Sequence, residues 1–264
     1  MNIGELVVEP IFDGTLKAPA TGFKGTTDEQ WAPHRRFLDE EGRLEFSLGG
    51  FLVRGGADRL VLIDAGVGPH SGTIMGGLAP FQGGELLNNL AAKNVDPSDV
   101  TDVIFTHLHF DHVGWASRDG EVVFPKATYR CDAHDWEHFR GNERIQAMVA
   151  PIEDRLVAWD SSGPLCPGID TMRAPGHTPG STILVLSSGT SRGLLLGDVV
   201  HCPVELLDDE WAGLGDVDPD LAKRTRNQLA REIEGTDTPV AAAHFPGMVF
   251  GRLLSAHGRR SWLV

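Results

Sequence analysis

Thr106-His107-Leu108-His109-Phe110-Asp111-His112 follows directly on the apolar stretch Val103-Ile104-Phe105. The spacing of this run organises the reading of the chain. At the end of an extended strand, residues two apart point the same way, so His107 and His109 share a direction. Asp111 and His112 come where the strand should turn into a helix. Imidazole nitrogen and carboxylate oxygen suit zinc and other first-row divalent ions. One such run supplies four ligating side chains, too few to complete two metal shells by itself.

Three further residues occupy comparable places. His177 lies in Pro175-Gly176-His177-Thr178-Pro179-Gly180, where two prolines and two glycines set a tight turn between predicted strands. Asp198 ends the apolar stretch Leu194-Leu195-Leu196-Gly197. An acid at the C-terminal end of a buried strand is where sites on sheets are built. His244 follows Ala241-Ala242-Ala243 in the same manner. All three can converge with the 106–112 run at one sheet edge.

The rest of the chain reads as alternating strands and helices. Strands are expected over Gly4 to Phe12 (ended by Asp13-Gly14), Glu45 to Arg54, Arg59 to Asp64 and Asp102 to Thr106. Others follow at Ile169 to Ala174, Ser181 to Leu186, Gly193 to Gly197 and Val240 to Ala243, with a short one before Tyr129. Gly55-Gly56-Ala57-Asp58 reads as a hairpin turn. Leu60-Val61-Leu62-Ile63 is continuously apolar, the mark of a strand buried on both faces. Glu85 to Asn94, Asp132 to Arg140, Glu143 to Trp159 and Pro219 to Glu234 read as helices, the last with Asp218 as N-cap. Residues 15–43 are irregular and rich in Pro, Gly and charge, and read as a flap over the site or an arm on a neighbour. Helices spaced between strands in both halves give an α/β domain. No internal repeat or linker divides the 264 residues, so 1–264 reads as one domain.

Composition excludes several function classes. The hydrophobic fraction is 41% and the charged fraction 23%, ordinary for a globular protein. No stretch approaches the roughly 20 apolar residues that span a bilayer. The opening residues lack a basic and apolar leader, so a cytoplasmic location is expected. The formal net charge of -14 repels phosphate backbones and anionic lipid, which argues against nucleic-acid and membrane partners. The three cysteines, Cys131, Cys166 and Cys202, are far apart and form no CxxC pair. Any metal must therefore be held by histidine and carboxylate.

On these residues the chain resembles the metallo-β-lactamase superfamily. The HxHxDH signature of that family is matched by His107, His109, Asp111 and His112. Its later histidine, bridging aspartate and final histidine are matched by His177, Asp198 and His244, and Leu62-Ile63-Asp64-Ala65-Gly66 is similar to its early strand-and-turn motif. The likeness extends over about residues 45–250. It implies an αββα sandwich with two mixed sheets flanked by helices. It also implies two divalent metal ions, with zinc expected: one on His107, His109 and His177, the other on Asp111, His112 and His244, and Asp198 between them. The function implied is a dinuclear-metal hydrolase that uses a metal-bound hydroxide to cleave a small ester, lactone or phosphotriester. Asp111 would orient the hydroxide and take a proton.

Within the superfamily the motifs are most similar to the branch of methyl parathion hydrolase and the acyl-homoserine lactonases. The lactonases carry a tyrosine three residues after the bridging aspartate, where this chain has His201. Its one tyrosine, Tyr129, lies elsewhere. His201 is therefore a catalytic candidate that lines the pocket and donates to the leaving group or oxyanion, or else a satisfied core histidine. Asp64 either orients a ligating histidine or caps its turn. Phe110, Trp115 and Phe245 adjoin proposed ligands and either wall a pocket or pack the core. Cys202 reads as a packed thiol. His34, His70, His134, His138 and His257 read as surface or structural. The substrate is expected to be a small molecule selected by segments 15–43, 70–84 and 201–218, with a homodimer as one assembly the 15–43 arm would allow. The same fold also supports an iron-dependent, oxygen-using enzyme of the persulfide dioxygenase type. A nuclease and a non-catalytic metal-binding protein fit the charge and the complete ligand set less well.

Overall fold

The computed structural model describes residues 1–23, 25–55, 59–256 and 258–264. Two sheets lie face to face. The first has nine strands. Across it run Leu156–Trp159, Thr128–Asp132, Asp102–Ile104, Leu60–Ile63, Arg43–Arg54, Leu6–Pro19, Ala79–Gln82 and Ser71–Ile74, with Asn2–Ile3 pairing beside Leu6–Pro19. The second has five, in the order Gly163–Cys166, Ile169–Arg173, Thr182–Ser188, Ser191–Leu195 and Val240–Ala241. Both are mixed. Asp102–Ile104 runs parallel to Leu60–Ile63 and to Thr128–Asp132, and Ser191–Leu195 runs parallel to Val240–Ala241. The remaining ladders within the second sheet are antiparallel.

Strand periodicity explains the layers. In Thr182–Ser188, Leu184 and Leu186 face inward onto Val8, Phe51, Val61, Ile63 and Ile104 of the first sheet. Their alternates Ile183 and Val185 face outward onto Leu229, Ala230 and Ile233 of the helix Pro219–Ile233. On the other side, Leu52, Leu62, Val103 and Tyr129 pack under Leu86 and Leu90, Phe139, and Ile145 and Val149 of three short helices. A strand covered on both sides is apolar along its buried run, and Leu60–Ile63 follows that rule, as do Val103 and Ile104 beyond Asp102, whose buried carboxylate is paired with Arg59 and Arg130. The result is the expected αββα sandwich. No helix among the described residues is long and apolar enough to cross a membrane.

Several boundaries differ from the sequence reading, each for a physical reason. Asp13-Gly14 does not end the first long strand. Pairing with Arg43–Arg54 shifts register between Phe12 and Gly14, and the strand continues to Pro19. Asp13 sits at this bulge fully buried. Its Oδ2 accepts from the backbone N–H of Val67 and Gly68, and its Oδ1 from Gly84, Leu86 and the indole of Trp115. A polar pair that reads as a turn is thus an internal hub.

The irregular 15–43 segment accordingly begins as strand, then forms short helical turns at Ala20–Gly22, Asp28–Trp31 and Ala32–Phe37. Trp31 and Phe23 of this segment are buried against Trp211. The expected helix over 143–159 ends at Val149, and Leu156–Trp159 is instead a parallel strand beside Thr128–Asp132. Two hairpins, Ser71–Ile74 with Ala79–Gln82 and Arg252–Ala256 with Arg259–Leu263, add strands beyond those expected from the sequence. Much of the first is exposed, and exposed strands lack the apolar alternation that would reveal them. Most of the predicted turn at 55–58, and His257, lie outside the described residues.

Candidate metal centre

The strand ends at one edge of the sandwich deliver seven side chains to one point. Leu60–Ile63 leads to Asp64, and Asp102–Ile104 leads to the 106–112 run, whose helix Phe110–Val113 begins after His109. Ile169–Arg173 leads to the His177 turn, Ser191–Leu195 to Asp198, and Val240–Ala241 to His244. One atom each from His107, His109, His177 and Asp198 lies within 4.8 Å of the others, and the same holds for Asp111, His112 and His244. The two groups correspond to the two sets expected from the sequence, with Asp198 counted in the first.

Asp198 stands between them. Its Oδ1 is 3.2 Å from His112 Nε2, and its Oδ2 is 3.1 Å from His244 Nε2, 3.5 Å from His177 Nε2 and 3.7 Å from His107 Nε2. Asp111 Oδ2 is 3.5 Å from His244 Nε2.

The tautomers follow from what lies behind each ring. His112 Nδ1 is 2.9 Å from Asp64 Oδ2, His177 Nδ1 is 3.0 Å from Asp216 Oδ1, and His244 Nδ1 is 2.9 Å from the Ser47 carbonyl. An oxygen that can only accept requires an N–H facing it. His107 Nδ1 is 3.2 Å from Thr106 Oγ1, whose own hydrogen goes to Asp64 Oδ2 at 2.8 Å, so it too must donate. Held neutral, as metal ligands are, each of the four rings carries on Nε2 a lone pair aimed inward, a place that a proton takes on His112 and His244 when no cation is there.

Those lone pairs meet other acceptors. His112 Nε2 and Asp198 Oδ1 are buried without hydrogen-bond partners although they face each other. His107 Nε2 and His177 Nε2 both approach His109 Nδ1, at 3.0 and 2.9 Å, where at most one hydrogen can lie. Facing lone pairs in a buried site are reconciled by a cation, so the residues fit divalent metal ions.

The electrostatics agree. Burial, reinforced by neighbouring imidazoles, pushes His109 down to about 3 and His107 well below the ordinary histidine value, which leaves both rings neutral. Burial alone would raise the Asp198 carboxyl. His244, His112, His107 and His201 outweigh it and hold the carboxylate ionised. Burial opposes charge on His112, His244 and His201 too, but the Asp198 charge prevails and raises all three, His201 to about 10. The cluster is therefore a buried anionic point that draws positive charge.

Other expectations resolve one by one. Asp64 is an orienting residue, because besides His112 it holds the Thr106 N–H and hydroxyl at 2.8 Å each. His201 is buried at the pocket wall, with Nε2 3.4 Å from Asp198 Oδ2. Phe110 lines the pocket. Trp115 and Phe245 do not: both are buried, Trp115 donating to Asp13 and Phe245 packing edge-on to Trp262. Cys202 is a buried free thiol, and burial raises it.

Sequence reasoning missed Asp216, the Ser47 carbonyl, Asp135, Glu205 and Arg226. Asp135 holds the ligand loops together by accepting from Leu108 N and Gly180 N. Arg226 alone left a legible trace, as a charged residue in the apolar stripe Ala222, Leu229, Ala230 and Ile233.

The pocket over the cluster has a volume of about 380 Å3. Leu16, Ala18 and Gly22, then Ile74 and Met75, then His201, Leu214 and Gly215 wall it, so each of the three segments expected to select substrate contributes. Phe46 and Phe110 complete the apolar lining, and none of the described lining residues is lysine or arginine.

Comparison with known proteins places this arrangement. The model of the metallo-beta-lactamase superfamily matches residues 50–244. An N-acyl homoserine lactonase of Bacillus thuringiensis is 25% identical over 157 residues, 59% of this chain and 59% of that protein. The chain thus spans about 50–59% of the length of the curated relatives it matches. Among solved structures, hydrolase AbOPH in the beta lactamase superfamily superposes with a TM-score of 0.86 at 27% identity, covering 100% of this chain and 95% of that one. The fold is also that of AidC, a dizinc quorum-quenching lactonase, with a TM-score of 0.86, 22% identity and the same coverage. With that match across most of its length, and with every residue of the family motif gathered at one sheet edge, the chain belongs to the metallo-beta-lactamase superfamily.

Proposed function

We propose that the chain is a hydrolase that holds two divalent cations, zinc first among them, and cleaves a small uncharged ester, lactone or phosphotriester. His107, His109 and His177 would hold one cation, and Asp111, His112 and His244 the other, with Asp198 serving both. Bound there, divalent cations would supply Lewis acidity and bring the pKa of water down towards about 7. Asp111 reaches the pocket, where its carboxylate orients the attacking water and takes its proton. His201 presents Nε2 on the opposite wall to hydrogen-bond the departing oxygen. The apolar walls bind the acyl or aryl part and keep bulk water from the reacting group.

The observation that carries the substrate class is the lining. Leu16, Ala18, Phe46, Ile74, Met75, Phe110 and Leu214 surround the cluster, with no guanidinium or ammonium among the described residues to receive a carboxylate or phosphate. The guanidinium of Arg144 lies against the Phe110 ring, 3.9 Å from its centre. The relatives named as lactonases support the same class. The net charge of -14 and three free cysteines support a reducing, cytoplasmic setting and a small-molecule substrate.

The test is metal analysis of the purified protein together with a panel of aryl esters, lactones and organophosphate triesters. Hydrolysis that needs metal and is lost in Asp198→Ala is expected. Two bound metals with no member of the panel cleaved would overturn the substrate class. Resident iron with oxygen consumption in place of hydrolysis would overturn the reaction.

A further inference from the structure

A strip of three buried side chains runs back from the pocket wall. His201 is 5% exposed, and Glu205 and Arg226 are 1% exposed each. His201 Nδ1 points away from the pocket towards Glu205 Oε2, 3.7 Å off, while its Nε2 faces Asp198 and the pocket. Glu205 cannot swing away, because Oε2 also accepts from the backbone N–H of His201 at 2.6 Å and of Cys202 at 2.9 Å. Its Oε1 meets Arg226 Nη1 at 3.4 Å. The guanidinium in turn donates to the carbonyls of Val199 and Trp211, both at 3.3 Å, tying the turn that carries Asp198 to the segment that walls the pocket.

Two features separate this strip from ordinary packing. A buried ion pair adds little to stability compared with apolar residues of the same volume, so stability alone is a poor reason for Glu205 and Arg226 to be there. Moreover His201 Nδ1, Glu205 Oε1 and Arg226 Nε all lack hydrogen-bond partners, so the strip is held by charge and backbone rather than by a closed network. Besides Asp198 at its Nε2 side, the ring is flanked by His244, parallel at 5.9 Å, and by His177, edge-on at 4.9 Å. Those contacts set the plane but not which nitrogen faces the pocket, and a carboxylate lies behind Nδ1 to attract an N–H to that side.

We propose that Glu205, braced by Arg226, is the positioning residue whose charge keeps the Nδ1–H side of His201 turned away from the pocket and so presents Nε2–H to the substrate. The proposal rests on the reading of the site as a hydrolase only for what Nε2 then does. The orientation of the ring is independent of it. Glu205 also caps the turn Pro203–Leu206 by accepting from the backbone N–H of Cys202. A purely capping role is the alternative to be separated.

Glu205→Gln keeps an oxygen for the cap and removes the charge. Arg226→Met keeps most of the bulk and removes the brace, and Arg226→Lys restores a cation. In the metal-loaded protein labelled with 15N-histidine, the ring signals that vanish in His201→Gln identify His201. We expect those signals to shift in Glu205→Gln and Arg226→Met, to move back in Arg226→Lys, and the His177 signals to stay. On a substrate with a poor leaving group, Glu205→Gln should lower kcat about tenfold at nearly constant KM, with a smaller loss on a good leaving group. In a His201→Gln background the same change should cost nothing further. Unmoved His201 signals in both folded variants, or an undiminished loss in the His201→Gln background, would overturn the proposal. If the wild-type protein cleaves no substrate, the hydrolase reading fails while the ring signals still decide the positioning. If Glu205→Gln does not fold, the pair Arg226→Met and Arg226→Lys decides it.

Discussion

Asp64 occupies the left-handed region at φ 59°, where a residue with a Cβ is uncommon. The conformation aims both carboxylate oxygens back into the site, one at the Thr106 N–H and the other at the Thr106 hydroxyl and His112 Nδ1. Removing the side chain frees the His112 ring to turn and leaves the Thr106 N–H buried without an acceptor. Asp64→Ala should therefore weaken binding at the His112 position by about 10–100-fold, as losses behind metal ligands usually do. Chelator competition on the folded variant measures it, and an affinity equal to wild type would mean that packing alone holds the ring. Asp64 was legible in the sequence as an acid at the end of a buried strand. Which of its two expected roles it plays was not, because His112 lies 48 residues further on.

The bulge in the strand Leu6–Pro19 shows how an element absorbs an irregularity. Asp13 accepts five hydrogen bonds, four from backbone N–H groups of the loops at 67–68 and 84–86 and one from Trp115. Gly66 and Gly83 pass so close to its carboxylate that a Cβ at either would lie within 3.0 Å of Oδ2. These loops lead to the helix Leu86–Ala92 and away from the Asp64 turn, so the hub anchors one side of the site. Each donor stranded in the interior costs about 1–3 kcal/mol. Asp13→Ala strands five, and the loss of stability in urea should exceed about 4 kcal/mol, the range reserved for broken buried networks. Asp13→Asn should recover little, since its NH2 group must face donors. Near-wild-type stability of either variant would show that water or relaxed loops satisfy these groups. In sequence, Asp13-Gly14 has the chemistry of a turn. Only the partner loops distinguish a hub from an end.

For the whole molecule, the cluster acts as a joint between layers. Asp64 and the 106–112 run come from the first sheet, and His177, Asp198 and His244 come from the second. Ligands that bind only the folded state stabilise it by mass action, about 2.7 kcal/mol for one site at a hundred times its Kd. For a domain of this size that corresponds to roughly 5–10 °C in Tm. Removal of metal by a chelator should lower Tm by at least that amount, and zinc added back in excess of the chelator should restore it. An unchanged melting curve after verified removal would show that the two sheets hold the cluster without metal. Residues 15–43, 70–84 and 201–218 meet over this joint as the pocket wall, and their side chains, not the ligands, set what enters.

The sequence by itself determined the ligand types, their order along the chain and the strands that end on them. It could do so because a buried strand is an unbroken apolar run and a ligand at its end interrupts that run visibly. Tertiary structure alone decided which nitrogen of each ring faces inward. An imidazole has two nitrogens, and the choice is made by whatever lies behind it: Asp216 at 39 residues from His177, or the Ser47 carbonyl at 197 residues from His244. The same distance in sequence hid the brace of His201, since Arg226 reaches Glu205 from a helix that sequence reading could place but not dock.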